Sequence, residues 1–157
     1  MHSYSPFLWF NDNAEAAAEF YVSTFPTAKI TLIQRYPAGG MQAEGKVLTI
    51  GLELGGVVYT LLNGGPHYQL NPAFSILVQC ETQDEVDSLW DILSDGGSAM
   101  QCGWITDKFG VTWQIVPKAL FRLMSLPDRE AAQRVMNAMM KMIKISQPEL
   151  ERAAAGE

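Results

Sequence analysis

Residues 102–117 read CGWITDKFGVTWQIVP, a turn carrying Asp107 and Gly110 that leads into a strand. In the middle of that strand one amide, Gln114, stands between Trp113 and Ile115. Side chains alternate across a strand, so Val111, Trp113 and Ile115 share one face while Thr112, Gln114 and Val116 share the other. A sheet with an apolar face under helices and a mixed, neutral face opposite fits this pattern.

Working outward, the same plan recurs. PFLWF (6–10) is a short apolar run, and NDN offers helix caps before AEAAAEFYVSTF, where Ala17, Phe20, Tyr21 and Phe25 fall at helical spacing until Pro26. AKITLIQRY (28–36) and KVLTIGLEL (46–54) alternate like strands around the loop PAGGMQAEG, and Gly55-Gly56 predicts a tight hairpin into VVYTLLN. After the loop NGGPHYQLNP, FSILVQ (74–79) is a strand, Thr82 a cap and QDEVDSLWDILS a helix stopped by Gly96-Gly97. A further strand is expected around Met100 to Thr106. Superposing cap Asn13 on cap Thr82, and Gly56 on Gly110, exposes an internal strand–helix–strands repeat. After Pro117 the chain turns helical: KALFRLMSL, then DREAAQRVMNAMMKMIKI, with Val135, Met139 and Met142 on one packing or dimer face.

Composition bounds the rest. The chain has 157 residues, 48% of them apolar and 18% charged, an ordinary globular balance. A net charge of −6 without a Lys/Arg cluster argues against nucleic acid or an anionic membrane as a partner. No apolar run approaches the roughly 18–20 residues of a membrane span. The N-terminus lacks an export signal, so Cys80 and Cys102 are expected to be reduced thiols in a cytoplasmic protein.

The repeat sorts the strands into two faces. The face assigned to the helices carries Phe7, Trp9, Ile50, Leu52, Tyr59, Leu61, Ile76, Val78, Trp113 and Ile115. The other carries Pro6, Leu8, Phe10, Thr49, Gly51, Glu53, Thr60, Ser75, Leu77, Gln79 and Gln114. Small, neutral and partly apolar, this second face reads as the lining of a cavity, with Gln114 pointing into it.

PFLWF, NAEAAAEFY, LLNGGPH, CETQDEVDSLW, QCGW and DKFGVTWQIVP together resemble the PhnB-like branch of the vicinal oxygen chelate superfamily, also called glyoxalase/bleomycin-resistance/dioxygenase. The resemblance covers nearly all of the first 117 residues. It implies an α+β fold, with two βαβββ modules (about 1–65 and 70–117) forming a curved mixed sheet, a glyoxalase-like domain over 1–117 and a helical extension over 118–157. The branch often carries the label of a 3-demethylubiquinone methyltransferase. No strand here ends in the GxGxG-type turn of a Rossmann-like methyltransferase, which argues against that label.

Metal-dependent members of the superfamily place His, Gln or Glu at four repeat-related positions. Carried across, these are Pro6, Thr60, Ser75 (or Asn71, if the register slides) and Gln114. Only Gln114 belongs to that repertoire, so no metal and no cofactor are expected, and the glutamine reads as a hydrogen-bonding group for a ligand. The candidate ligand-binding residues are Thr60, Asn63, His67, Ser75, Trp104 and Gln114. His67 is either a loop residue or a donor or base near neutral pH. Glu53 is an acid–base candidate if buried and a solvated strand-end residue otherwise. Cys102 is a nucleophile or a structural thiol, and Asp107 serves its turn. Trp104 and Phe109 are aromatic walls or dimer contacts. The function expected is binding of a small organic ligand by a homodimer. A metal-dependent lyase, dioxygenase or isomerase of the superfamily is one alternative. A regulatory or structural dimer with a vestigial cavity is the other.

Overall fold

The computed structural model describes residues 2–157. The chain divides into two compact units, one ending at Leu70 and the other spanning Asn71–Glu157.

In the first unit β1 (Phe7–Phe10), α1 (Ala14–Thr24), β2 (Lys29–Arg35), β3 (Val47–Leu54) and β4 (Val57–Asn63) follow in order. They build a four-stranded sheet of order β1-β4-β3-β2 in which β1 runs parallel to β4 and the other pairs are antiparallel. Gly55 and Gly56 take φ of 55° and 87°, the left-handed pair that a two-residue hairpin between β3 and β4 requires. Ile50, Leu52 and Leu61 are buried with Ala14, Ala17, Ala18 and Tyr21 of α1.

The second unit repeats the plan. β5 (Ile76–Cys80), α2 (Gln83–Ser94), β6 (Ser98–Ala99), β7 (Trp104–Thr106) and β8 (Thr112–Pro117) give the order β5-β8-β7-β6, again with the first and last strands parallel. The strand expected around 100–106 is thus two short ones, divided by the turn at Cys102-Gly103. Ile76, Cys80, Ile105, Trp113 and Ile115 are buried, as are Val86, Trp90 and Leu93 of α2. The α+β class and the two βαβββ modules are as the sequence predicts, each module owning a four-stranded mixed sheet.

One part of the face assignment is overturned. In β1 it is Leu8 and Phe10 that are buried, while Phe7 is 61% exposed. Leu8 pairs with Leu61, and Phe7 pairs with Thr60. Phe7 and Trp9 therefore lie on the face away from α1. The cause is loop length: three residues (11–13) separate β1 from α1, whereas two (81–82) separate β5 from α2. Superposing the helix caps carries that extra residue back into the strand, and a slip of one residue exchanges the faces. Strand pairing gives the true correspondence. Thr60 sits beside Phe7 and Gln114 beside Leu77, so the counterpart of Ser75 is Ser5, not Pro6.

The extension folds as α3 (Lys118–Met124), α4 (Arg129–Met139) and α5 (Gln147–Ala155). The helix expected to run through Ile145 stops at Met139, and α5 was not anticipated. Val116, Leu120, Leu123, Val135, Met142, Ile145 and Leu150 form one core, so the Met-rich face packs internally. The segment between α4 and α5 is stitched to the second sheet by Cys102 N–H to Met142 O and Gly103 N–H to Ile143 O, both 2.8 Å. A Cβ on Gly103 would stand 2.8 Å from Ile115 O and 2.9 Å from Ile145, so this junction admits only glycine.

Candidate functional site

Three of the expected ligand-binding residues meet on the second sheet, on the face away from α2. Gln114 Nε2 donates to Ser75 Oγ at 2.8 Å, and Trp104 is the cross-strand neighbour of Gln114 in the β7–β8 register. Both Gln114 and Trp104 are half-buried. On the next rung Thr106 and Thr112 share a hydrogen bond of 2.9 Å between their hydroxyls. This surface is polar and uncharged, with an indole beside the amide.

The first sheet carries a weaker version. Thr60 Oγ1 lies 3.3 Å from Ser5 Oγ, and Ser5 Oγ also donates to Val58 O at 2.6 Å. The repeat thus places a hydroxyl–hydroxyl pair in one unit where the other has a hydroxyl–amide pair. The four repeat-related donors are Ser5, Thr60, Ser75 and Gln114. None is a carboxylate, imidazole or thiolate, and such a set does not fit Zn, Fe, Mn or Ni. Among the described residues no group of three or more His, Cys, Asp or Glu could hold a metal ion.

Asn63, a candidate ligand-binding residue by sequence, has its side chain engaged within the first unit. It is buried, with Oδ1 accepting from Ala14 N at 2.9 Å and Nδ2 donating to Glu15 Oε2 and Val47 O at 2.7 and 3.0 Å. Its amide ties the start of α1 to β3. Asn13, expected to cap that helix, makes no side-chain cap.

His67 stands elsewhere in the first unit, on the exposed loop after β4. A cavity of about 730 Å³ opens there, lined by Trp9, Tyr36, Met41, Gln42 and the Gly64–His67 loop. Trp9 donates its indole N–H to Gly65 O at 2.9 Å, and Tyr36 donates its hydroxyl to Asn63 O at 2.7 Å. Trp9, Tyr36 and Gln42 were missed. The signal for Trp9 was the three-residue connection to α1, which turns the indole away from the helix.

The remaining candidates have these surroundings. Asp107 is buried; Oδ1 accepts from Phe109 N and Val111 N, and Oδ2 accepts from the Trp113 indole at 2.8 Å, so it serves its turn as expected and anchors the core as well. Glu53 is a partly exposed strand-end carboxylate paired with Lys29 at 3.2 Å, not a buried acid. Cys102 Sγ lies 3.8 Å from Met140 Sδ, and no acid–base partner is near it among the interactions of the described residues. Phe109 lies under the Lys108 ammonium, 5.6 Å from its ring centre. Burial, with a smaller contribution from Glu85, pushes the Cys80 thiol up to about 11.

The family described as 3-demethylubiquinone-9 3-methyltransferase matches residues 2–116. Among solved structures, a PhnB protein from Bacillus cereus is 30% identical at a TM-score of 0.67, over 74% of this chain and 99% of its own. Protein PA1353 from Pseudomonas aeruginosa is 21% identical at 0.60, over 74% and 96% of the two chains. A gene product from Arabidopsis thaliana is 19% identical at 0.51, over 74% and 98%. The last two share the fold alone. No curated protein matches the chain. The family match stops at 116, so α3–α5 lie beyond it.

Proposed function

Because the chain belongs to the 3-demethylubiquinone-9 3-methyltransferase (PhnB) family, we propose that it is a PhnB-like protein binding a small, uncharged or mildly polar organic molecule without a transition metal. The observation that carries this reading is the Ser75–Gln114 pair beside Trp104. A neutral amide and hydroxyl on a half-buried sheet face suit hydrogen bonding to a neutral ligand, since a buried ionic one would demand a charged partner. Within the first unit Thr60, with Ser5, is a candidate contact of the same kind on its own sheet, and His67 is one in the cavity beside Trp9. Asn63 contributes by positioning, since its backbone carbonyl holds Tyr36 and its side chain holds α1.

Methyl transfer, as in the family's description, draws no support from the architecture. A Rossmann-like methyltransferase binds its cofactor at a glycine-rich turn leaving a parallel sheet. Both sheets here are mixed, each with one parallel pair among the described residues.

A second copy of the chain is the expected protein partner. Ile30, Leu32 and Ile33 of edge strand β2 are all exposed, a liability that pairing would remove. A reducing, cytoplasmic setting is consistent with Cys80 and Cys102 both being free thiols. No helix among the described residues is long and apolar enough to cross a membrane.

The test joins elemental analysis with calorimetry. Purified protein should carry no stoichiometric Zn, Fe, Mn or Ni and give no heat with S-adenosylmethionine. About one metal per chain, lost in Gln114→Ala, would overturn the metal-free reading. Small molecules retained through purification and identified by native mass spectrometry should bind more weakly to Gln114→Ala, by about 1–3 kcal/mol.

A further inference from the structure

We propose that the cavity beside Trp9 is a binding site for a neutral, planar aromatic or heteroaromatic molecule carrying an O–H or N–H donor. The proposal rests on the small-molecule reading above but does not involve Gln114 or the second sheet.

The walls come first. Trp9 and Tyr36 both spend their polar tips inside the protein, on Gly65 O and Asn63 O. Half-buried Trp9, with Tyr68 edge-on at 5.0 Å, offers aromatic surface in a fixed orientation, and Tyr36, buried, closes the floor. The loop is fitted to the indole. A Cβ on Gly64 would come within 2.4–2.7 Å of three Trp9 ring atoms, and Gly65 takes φ of 85°. Glycine at 64 lets the backbone lie on the ring, and glycine at 65 lets the chain turn over it. Met41, 88% exposed at the rim, adds a flexible, polarisable thioether that adapts to a flat partner.

The polar complement narrows the ligand further. The lining contains no Asp, Glu, Lys or Arg and a single imidazole, His67, so an ionic guest would lose hydration without gaining a permanent counter-charge. Two side chains keep hydrogen-bonding capacity there. Gln42 makes one long bond, Nε2 to Asn63 O at 3.4 Å, which leaves its carbonyl oxygen as an acceptor. His67 packs edge-on against Tyr68, with ring centres 4.5 Å apart, and keeps both ring nitrogens for a partner among the hydrogen bonds of the described residues. The volume of about 730 Å³ falls within the range of small-molecule sites and admits a molecule of two or three fused rings.

Isothermal titration of the full chain with 2-naphthol, naphthalene and 2-naphthoate tests this. The first has a flat ring and a donor, the second the ring alone, and the third a charge in place of the donor. 2-Naphthol should bind most tightly, with 2-naphthoate about tenfold weaker or worse. Gln42→Leu should weaken 2-naphthol about five- to tenfold and leave naphthalene unchanged, because only the donor's partner is lost. Gly64→Ala should abolish both by lifting the loop from Trp9. If that variant fails to fold, Gln42→Leu still decides the matter. Equal affinity for 2-naphthoate, no effect of Gln42→Leu, or no binding of 2-naphthol at all would overturn the proposal. Binding removed by Gln114→Ala but not by Gln42→Leu would also sink it while supporting the site on the second sheet.

Discussion

In the second unit the helix begins on its own resources: Thr82 Oγ1 accepts from Glu85 N, three residues on. In the first unit Asn13 provides no such bond, and the amide of Asn63 reaches the start of α1 from 49 positions away. The equivalent of Asn63 at the end of β8 is Pro117, since Phe10 pairs with Asn63 as Cys80 pairs with Pro117. A proline there cannot tie down a helix; instead it leads directly into α3. One repeat thus caps its helix locally and uses the end of its last strand to launch an extension. The other caps through tertiary structure and leaves that end of the sheet to two loops and a cavity. Two copies of one plan diverge where their strands end, and the cavity of the first unit lies at that divergence.

The largest effect should come from the deepest difference between the sheets. Trp113 is 1% exposed and donates to buried Asp107, while its counterpart in the first sheet, Tyr59, is half-buried. Trp113→Ala should therefore destabilise by about 3–5 kcal/mol in urea unfolding, and Tyr59→Ala by clearly less. Equal losses would mean the two cores are not organised as described. Asn63→Ala should come next, at about 2–4 kcal/mol, because it orphans the Ala14 N–H and the Val47 carbonyl in a buried setting. The parallel change Thr82→Ala should cost only about 1 kcal/mol, the ordinary value for a local cap. Reversal of that order would refute the contrast between tertiary and local capping.

Cys80 sharpens the comparison through pH. Its thiol titrates at about 11 against an ordinary 9.0, so the folded state holds the proton longer than the unfolded chain. The sign follows: the contribution is fully present below the unfolded value, and stability falls as pH rises through about 11. Alkylation at pH 8 should be slower than in the unfolded chain by about two orders of magnitude, the ratio of thiolate fractions. Mass spectrometry of the modified peptides measures this directly, and fast labelling of Cys80 in native protein would contradict its burial. The smallest effect belongs to the site. Gln114→Ala should change stability by less than about 1 kcal/mol, since the amide is half-buried and its bond to Ser75 sits on a face that tolerates solvent.

Much of this was legible in the residues. The second sheet was sorted correctly from alternation alone, and Asp107 and Thr82 were read in their structural roles, because turn and cap chemistry acts over two to four residues. The first sheet was sorted correctly in β3 and β4 but not in β1. There the face depended on one extra residue in the connection to α1, and nothing within PFLWF marks it. The extension was read as two helices where there are three. The break after Met139 goes with the carbonyls of Met142 and Ile143 accepting from the N–H groups of Cys102 and Gly103, which lie far back in sequence.

The repeat, the α+β class and the neutral face of the second sheet could be read from the residues, because each depends on residue type and short-range period. It took the folded chain to show which way Trp9 faces, that the Asn63 side chain ties α1 to β3, and that Tyr36, Gln42 and His67 surround one cavity. Those outcomes depend on how strand ends and loops meet after the chain has closed on itself. A one-residue difference in a connection carries no energy that local pattern reveals, yet it exchanges the two faces of a strand.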